Sequence, residues 1–76
     1  MKLNQEEIIK IIESVFKQNK GSIKLETSLD DFAKDSMDVV EFIAILKNKH
    51  RVIIEPTEVA RLSNVKEIVD YILEHQ

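Results

Sequence analysis

Near the start of the chain, apolar residues fall at three- and four-residue intervals: Ile8, Ile11, Ile12, Val15 and Phe16, with Ile9 widening the stripe. That spacing lines one side of a helix with apolar groups and leaves the other side polar. Asn4-Gln5-Glu6-Glu7 supplies a start, because Asn4 can accept from first-turn amides while Glu7 reaches back. Lys17 and Lys20 suit the negative end of the helix dipole, and Gly21, the only glycine, suits a left-handed stop. The pattern predicts a first helix over residues 4–19.

Residues 21–35 follow neither period. Ile23, Leu25, Leu29 and Phe32 are spaced to pin a long loop onto the core, and Thr27-Ser28 and Asp30-Asp31 offer turn and capping chemistry. A helical turn is expected at Leu29-Asp30-Asp31-Phe32. So long a loop in so small a chain points to a functional role.

A second helix is predicted from Asp35 or Ser36 to about Lys49. Val39, Val40, Phe42, Ile43, Ile45 and Leu46 give it a broad apolar face, with Val40, Ile43 and Leu46 expected innermost. Asp38, Glu41, Lys47, Asn48 and Lys49 form its wet side. Val52-Ile53-Ile54 is β-branched but has no second run to pair with, so it reads as a buried loop segment. Glu55-Pro56-Thr57-Glu58 starts a short helical turn holding Val59, Ala60 and Leu62. Ser63 or Asn64 caps a last helix bearing Val65, Ile68, Val69, Ile72 and Leu73, with Tyr71 at its margin. The fold class is all-α: four helices, a long loop between the first two, and a short third.

Composition narrows the function. A chain of 76 residues allows one domain, residues 1–76. With 43% apolar and 33% charged residues it has a globular balance. A net charge of −3 argues against nucleic acid as the principal partner. The absence of cysteine removes disulfides, thiolate metal sites and a thiol nucleophile. No apolar run approaches a membrane span and the N-terminus turns polar at once, so no membrane insertion and a cytoplasmic location are expected. No metal site is expected. His50 and His75 lack zinc spacing, and the carboxylates from Asp30 to Asp38 lack the glycine and terminal glutamate of a calcium loop.

One hydroxyl stands out. Ser36 lies at the mouth of the second helix between Asp35 and Asp38, where unpaired N–H groups and the helix dipole favour a phosphate ester. Ser36 is therefore a candidate modification site. As a hydrolytic nucleophile it lacks a histidine nearby in sequence.

The block Asp35-Ser36-Met37-Asp38-Val39-Val40-Glu41-Phe42 resembles the acyl carrier protein family's Asp-Ser-Leu-Asp motif with its following apolar pair and glutamate. The likeness runs on through Val59-Ala60, Val65 and Asp70-Tyr71-Ile72, and so covers nearly the whole chain. It implies an acyl-carrier-like four-helix bundle and a non-enzymatic carrier. Ser36 would bear a covalent 4′-phosphopantetheine arm, delivered from coenzyme A by a phosphopantetheinyl transferase whose metal Asp35 helps to hold. The arm would carry acyl groups as thioesters, as in fatty acid biosynthesis and related lipid metabolism. Met37, Asp38 and Glu41 would be read by partner enzymes: acyl- or aminoacyl-handling synthases and ligases. Val40, Ile43, Ile54, Val59, Ala60 and Leu62 are candidates for an acyl pocket. The carrier is expected to be a monomer.

The sequence also departs from the family pattern. Ala33 stands where members usually have glycine, and alanine resists positive φ. The second helix ends in Lys47-Asn48-Lys49-His50-Arg51, where fatty-acid carriers are commonly acidic. These features imply a specialised rather than housekeeping carrier. The competing readings are a peptidyl or aminoacyl carrier and an interaction module that keeps the fold without the arm.

Overall fold

Asn4 stands in extended backbone at the head of α1 (Gln5–Val15). Its side chain accepts the Glu7 N–H at 2.8 Å, and the Glu7 carboxylate accepts the Asn4 N–H at 3.1 Å. Two of the helix's unpaired donors are thus satisfied, as its opening residues predict. The computed structural model describes residues 2–76.

α1 stops at Val15, four residues short of the expected end at residue 19. Lys17, not Gly21, takes the left-handed conformation, with φ at 56°. The Gln18 N–H reaches the Glu13 carbonyl at 2.8 Å, which satisfies the helix terminus. The chain leaves the helix where Phe16 turns inward, its ring edge-on to Phe32 at 5.1 Å and tilted against Phe42 at 5.8 Å. Gly21 also has positive φ, 83°, but it shapes the following loop.

That loop is held by polar groups as well as by its apolar residues. Glu13, only 7% exposed, projects from α1 and accepts N–H groups of Gly21 at 2.8 Å and Ile23 at 3.3 Å. Ser28 caps the expected turn, a 3₁₀ helix over Leu29–Asp31, by accepting the Asp30 N–H. The loop then lies along the start of α4 (Val65–His75). Its Thr27 and Leu25 carbonyls accept the Val65 and Lys66 N–H groups at 3.0 and 2.8 Å. Asn64 is the cap of α4, taking the Glu67 N–H at 3.0 Å. The loop therefore supplies part of the α4 cap.

α2 (Ser36–His50) ends at Arg51, whose φ is 58°. Its inward residues are Phe42 and Leu46. Val40 is 58% exposed and Ile43 half-buried, so neither is innermost as expected. The apolar residues of α2 surround most of its circumference, and a stripe that wide does not mark its own centre. After α2, Val52 and Ile54 are buried while Ile53 points outward at 66% exposure, so the segment is buried at two of three places. α3 (Pro56–Val59) follows, with Pro56 at its first position. On α4, Val65, Ile68, Val69 and Ile72 face the core, whereas Leu73 is exposed.

α1 packs against α2 and α4, and α3 packs against α2. Leu3 and Gln76 close the ends, with the Leu3 N–H bonded to Oε1 at 2.7 Å and Nε2 bonded to the Leu3 carbonyl at 2.8 Å. Among the described residues the architecture is all-helical: four helices, the third one turn long.

Candidate functional site

Ser36 is the first residue of α2 and is exposed. Asp35 precedes it in extended backbone, and its Oδ1 accepts the Met37 N–H at 2.9 Å. The Asp35 carbonyl accepts the N–H groups of Asp38 at 3.1 Å and Val39 at 3.3 Å. The helix mouth is thus already capped by its own residues. A phosphoryl group on Ser36 would sit in the positive field of the dipole, but the amides of Met37, Asp38 and Val39 are engaged. Of the first-turn amides that a phosphate was expected to meet, these three bond to Asp35, and the Ser36 N–H has no such partner. Asp35 sits beside the hydroxyl with Oδ2 unused by the cap, the kind of oxygen that takes a hard cation.

A cleft of about 390 Å³ opens beside Ser36, between the 3₁₀ turn, α2 and α3. Its walls are Leu29, Ala33, Val39, Val40, Pro56, Val59, Ala60 and Leu62, with Asp30 and Lys34 adding charge. Four of the expected acyl-pocket residues, Val40, Val59, Ala60 and Leu62, line this cleft; Ile43 and Ile54 do not. Ile54 belongs to the buried core, and Ile43 is half-buried against it. Ala33 lies in the cleft wall without positive φ, its N–H bonded to the Leu29 carbonyl at 2.7 Å. A larger hollow of about 630 Å³ lies between α1 and residues 20–24, lined by no residue of α2, so the serine has no part in it.

Helical geometry sorts the other expected residues. At about 100° per residue, Ser36, Met37, Val40, Glu41, Ala44, Lys47 and Asn48 fall in one sector. All seven are exposed, and Met37 reaches 73%. Asp38 falls on the next flank with Lys49, and it is half-buried. The structure therefore brings Met37 and Glu41 onto the face that carries Ser36, with Asp38 beside that face. Ala44 and Lys47 were not singled out for this surface, although a helical wheel through Ser36 identifies both.

Among the described residues, no group of three or more histidine, cysteine or acidic side chains is placed to hold a metal ion. Among those residues, too, no helix is long and apolar enough to cross a membrane.

An exposed serine at a helix mouth, with an apolar cleft at its side, suits a tethering point on a helical carrier. The family described as "Phosphopantetheine attachment site" matches residues 6–72. The acyl carrier protein of Chlorobium phaeobacteroides (strain DSM 266 / SMG 266 / 2430) is 37% identical over 70 residues, covering 91% of this chain and 90% of that protein. The one from Chlorobium phaeovibrioides (strain DSM 265 / 1930) is 34% identical with the same coverage. The one from Cyanidium caldarium is 27% identical over 77 residues, covering 95% of this chain and 90% of that protein. The chain belongs to the acyl carrier protein family. It is a carrier, not an enzyme, and its cofactor is covalently attached 4′-phosphopantetheine.

Proposed function

We propose that Ser36 is the attachment point and that the chain is one carrier domain acting as a cytoplasmic monomer. The observation that carries this is the exposed Ser36 hydroxyl at the first position of α2, next to an apolar cleft. In the loading step, the Ser36 oxygen attacks the β-phosphorus of coenzyme A. A new P–O bond forms, the pyrophosphate P–O bond breaks, adenosine bisphosphate leaves, and the hydroxyl proton passes to a base of the transferase. Asp35 contributes a carboxylate to the transferase's metal ion. The bound group supplies a thiol for thioester linkage, which this cysteine-free chain lacks.

The rest of the site serves positioning. Leu29, Val59 and Leu62 offer the apolar wall against which an acyl chain is shielded from water. Met37 and Glu41 face the enzymes that load or use the cargo. The cationic end of α2 supports a specialised carrier over a housekeeping one, because a basic docking groove would meet like charge at Lys47 and Arg51. The same feature favours an aminoacyl carrier as the second reading.

Incubation with coenzyme A and a broad-specificity phosphopantetheinyl transferase tests the proposal. Intact mass is expected to rise by one arm in the wild type and to stay unchanged in Ser36→Ala, with identical circular dichroism. A wild-type chain that gains nothing overturns it.

A further inference from the structure

The face of α2 that carries Ser36 is not an acidic surface. Starting from the serine, it presents Met37 and Val40, 73% and 58% exposed, with Ala44 exposed behind them. Glu41 is its one carboxylate. Lys47 lies in line with Ser36 and Val40, three turns on and about 16 Å along the axis. Arg51 is exposed just past the end of the helix. The carboxylates of Asp35 and Asp38 do not counter this end: Asp35 caps the mouth, and Asp38 lies on the neighbouring flank. The strip therefore runs from serine through an apolar middle to two cations.

We infer that the enzymes served by this carrier dock on that strip through an apolar socket for Met37 and Val40 and an acidic patch opposite Lys47 and Arg51. Charge complementarity argues for this occupant. Exposed cations at the rim of a contact attract an acidic surface, speed encounter with it, and turn away a basic one. Apolar side chains at the centre, two of them more than half exposed, supply what a desolvated contact core requires. The inference rests on the carrier reading above and adds the chemistry of the partner.

Zero-length carbodiimide coupling tests it, because this reagent joins a lysine amine only to a carboxylate in direct contact. The arm-bearing chain is cross-linked in extract of the cells that make it, and the joined peptides are sequenced. Lys47 is expected in an amide bond to an aspartate or glutamate of a second protein. Yield should fall about tenfold at high salt, where the Debye length is ~3 Å, and severalfold in Arg51→Asn, which keeps the Lys47 amine that is joined. Asparagine tolerates the left-handed conformation at residue 51, so the fold is retained. Lys49→Glu, on the other flank, should leave the yield unchanged. Lys47 left unjoined, joined only to a second copy of this chain, or outnumbered by links from Glu41 to partner lysines overturns the inference. The same digest reports the arm on Ser36, so failure of the carrier reading is seen separately.

Discussion

Glu13 shows how one residue fixes the geometry on which the site depends. Its carboxylate is buried and holds two backbone N–H groups of the loop that leads to α2. Glu13→Ala leaves both donors without that acceptor and should cost about 2 kcal/mol, read by urea unfolding. Glu13→Gln keeps one acceptor oxygen and should cost about 1 kcal/mol. Equal losses in the two variants would show that the negative charge, and not an acceptor oxygen as such, holds the loop. Sequence periodicity passes over this residue, because a glutamate beside an apolar stripe reads as solvated. Asking which group accepts the N–H groups of a strandless loop would have pointed to it. Lys66 is a surface counterpart. Its hydrogen bond to Asp70 at 2.8 Å, and then the charge of Asp70, raise its pKa above the usual 10.5. A raised folded-state value favours folding below 10.5, and the effect fades as pH climbs through the folded value. Asp70→Asn should move the NMR titration of Lys66 down toward 10.5, and an unmoved curve would contradict the pairing.

At the scale of elements, the helix starts and the end of α2 were legible, and the end of α1 was not. Asn4, Asp35 and Asn64 all cap as their side chains predict. The end of α1 was misread because Lys17 holds the left-handed conformation that glycine would take at lower cost. The packing of Phe16 against Phe32 and Phe42, which is long-range, sets that end. Lys17→Gly should therefore raise stability by about 0.5–1 kcal/mol, measured by denaturant midpoint, with no change in loading. A loss of stability would mean that the lysine stem contributes more than its backbone strain costs. The inner face of α2 was misjudged for a different reason. Val39, Val40, Ile43 and Ile45 compete with Phe42 and Leu46, and only the positions of α1 and α3 decide which pair turns inward. The outward turn of Val40 leaves it in the cleft wall beside Ser36.

Across the whole molecule, the long loop joins distant parts of the sequence. It is tied to α1 by Glu13 and to the start of α4 by Leu25, Thr27 and Leu29, and it then turns through Leu29–Asp31 into the cleft beside Ser36. Its apolar anchors were readable from Ile23, Leu25, Leu29 and Phe32, but its role in capping α4 was not, since backbone carbonyls leave no mark in a sequence. The carrier role depends on the tether on Ser36. Trypsin should release residues 35–47 as one peptide in which Ser36 is the only hydroxyl side chain. After exposure to coenzyme A and a transferase, that peptide should carry one phosphopantetheine, lost on fragmentation at the serine. Peptide 35–47 recovered bare, or the arm found on any other peptide, would contradict the account.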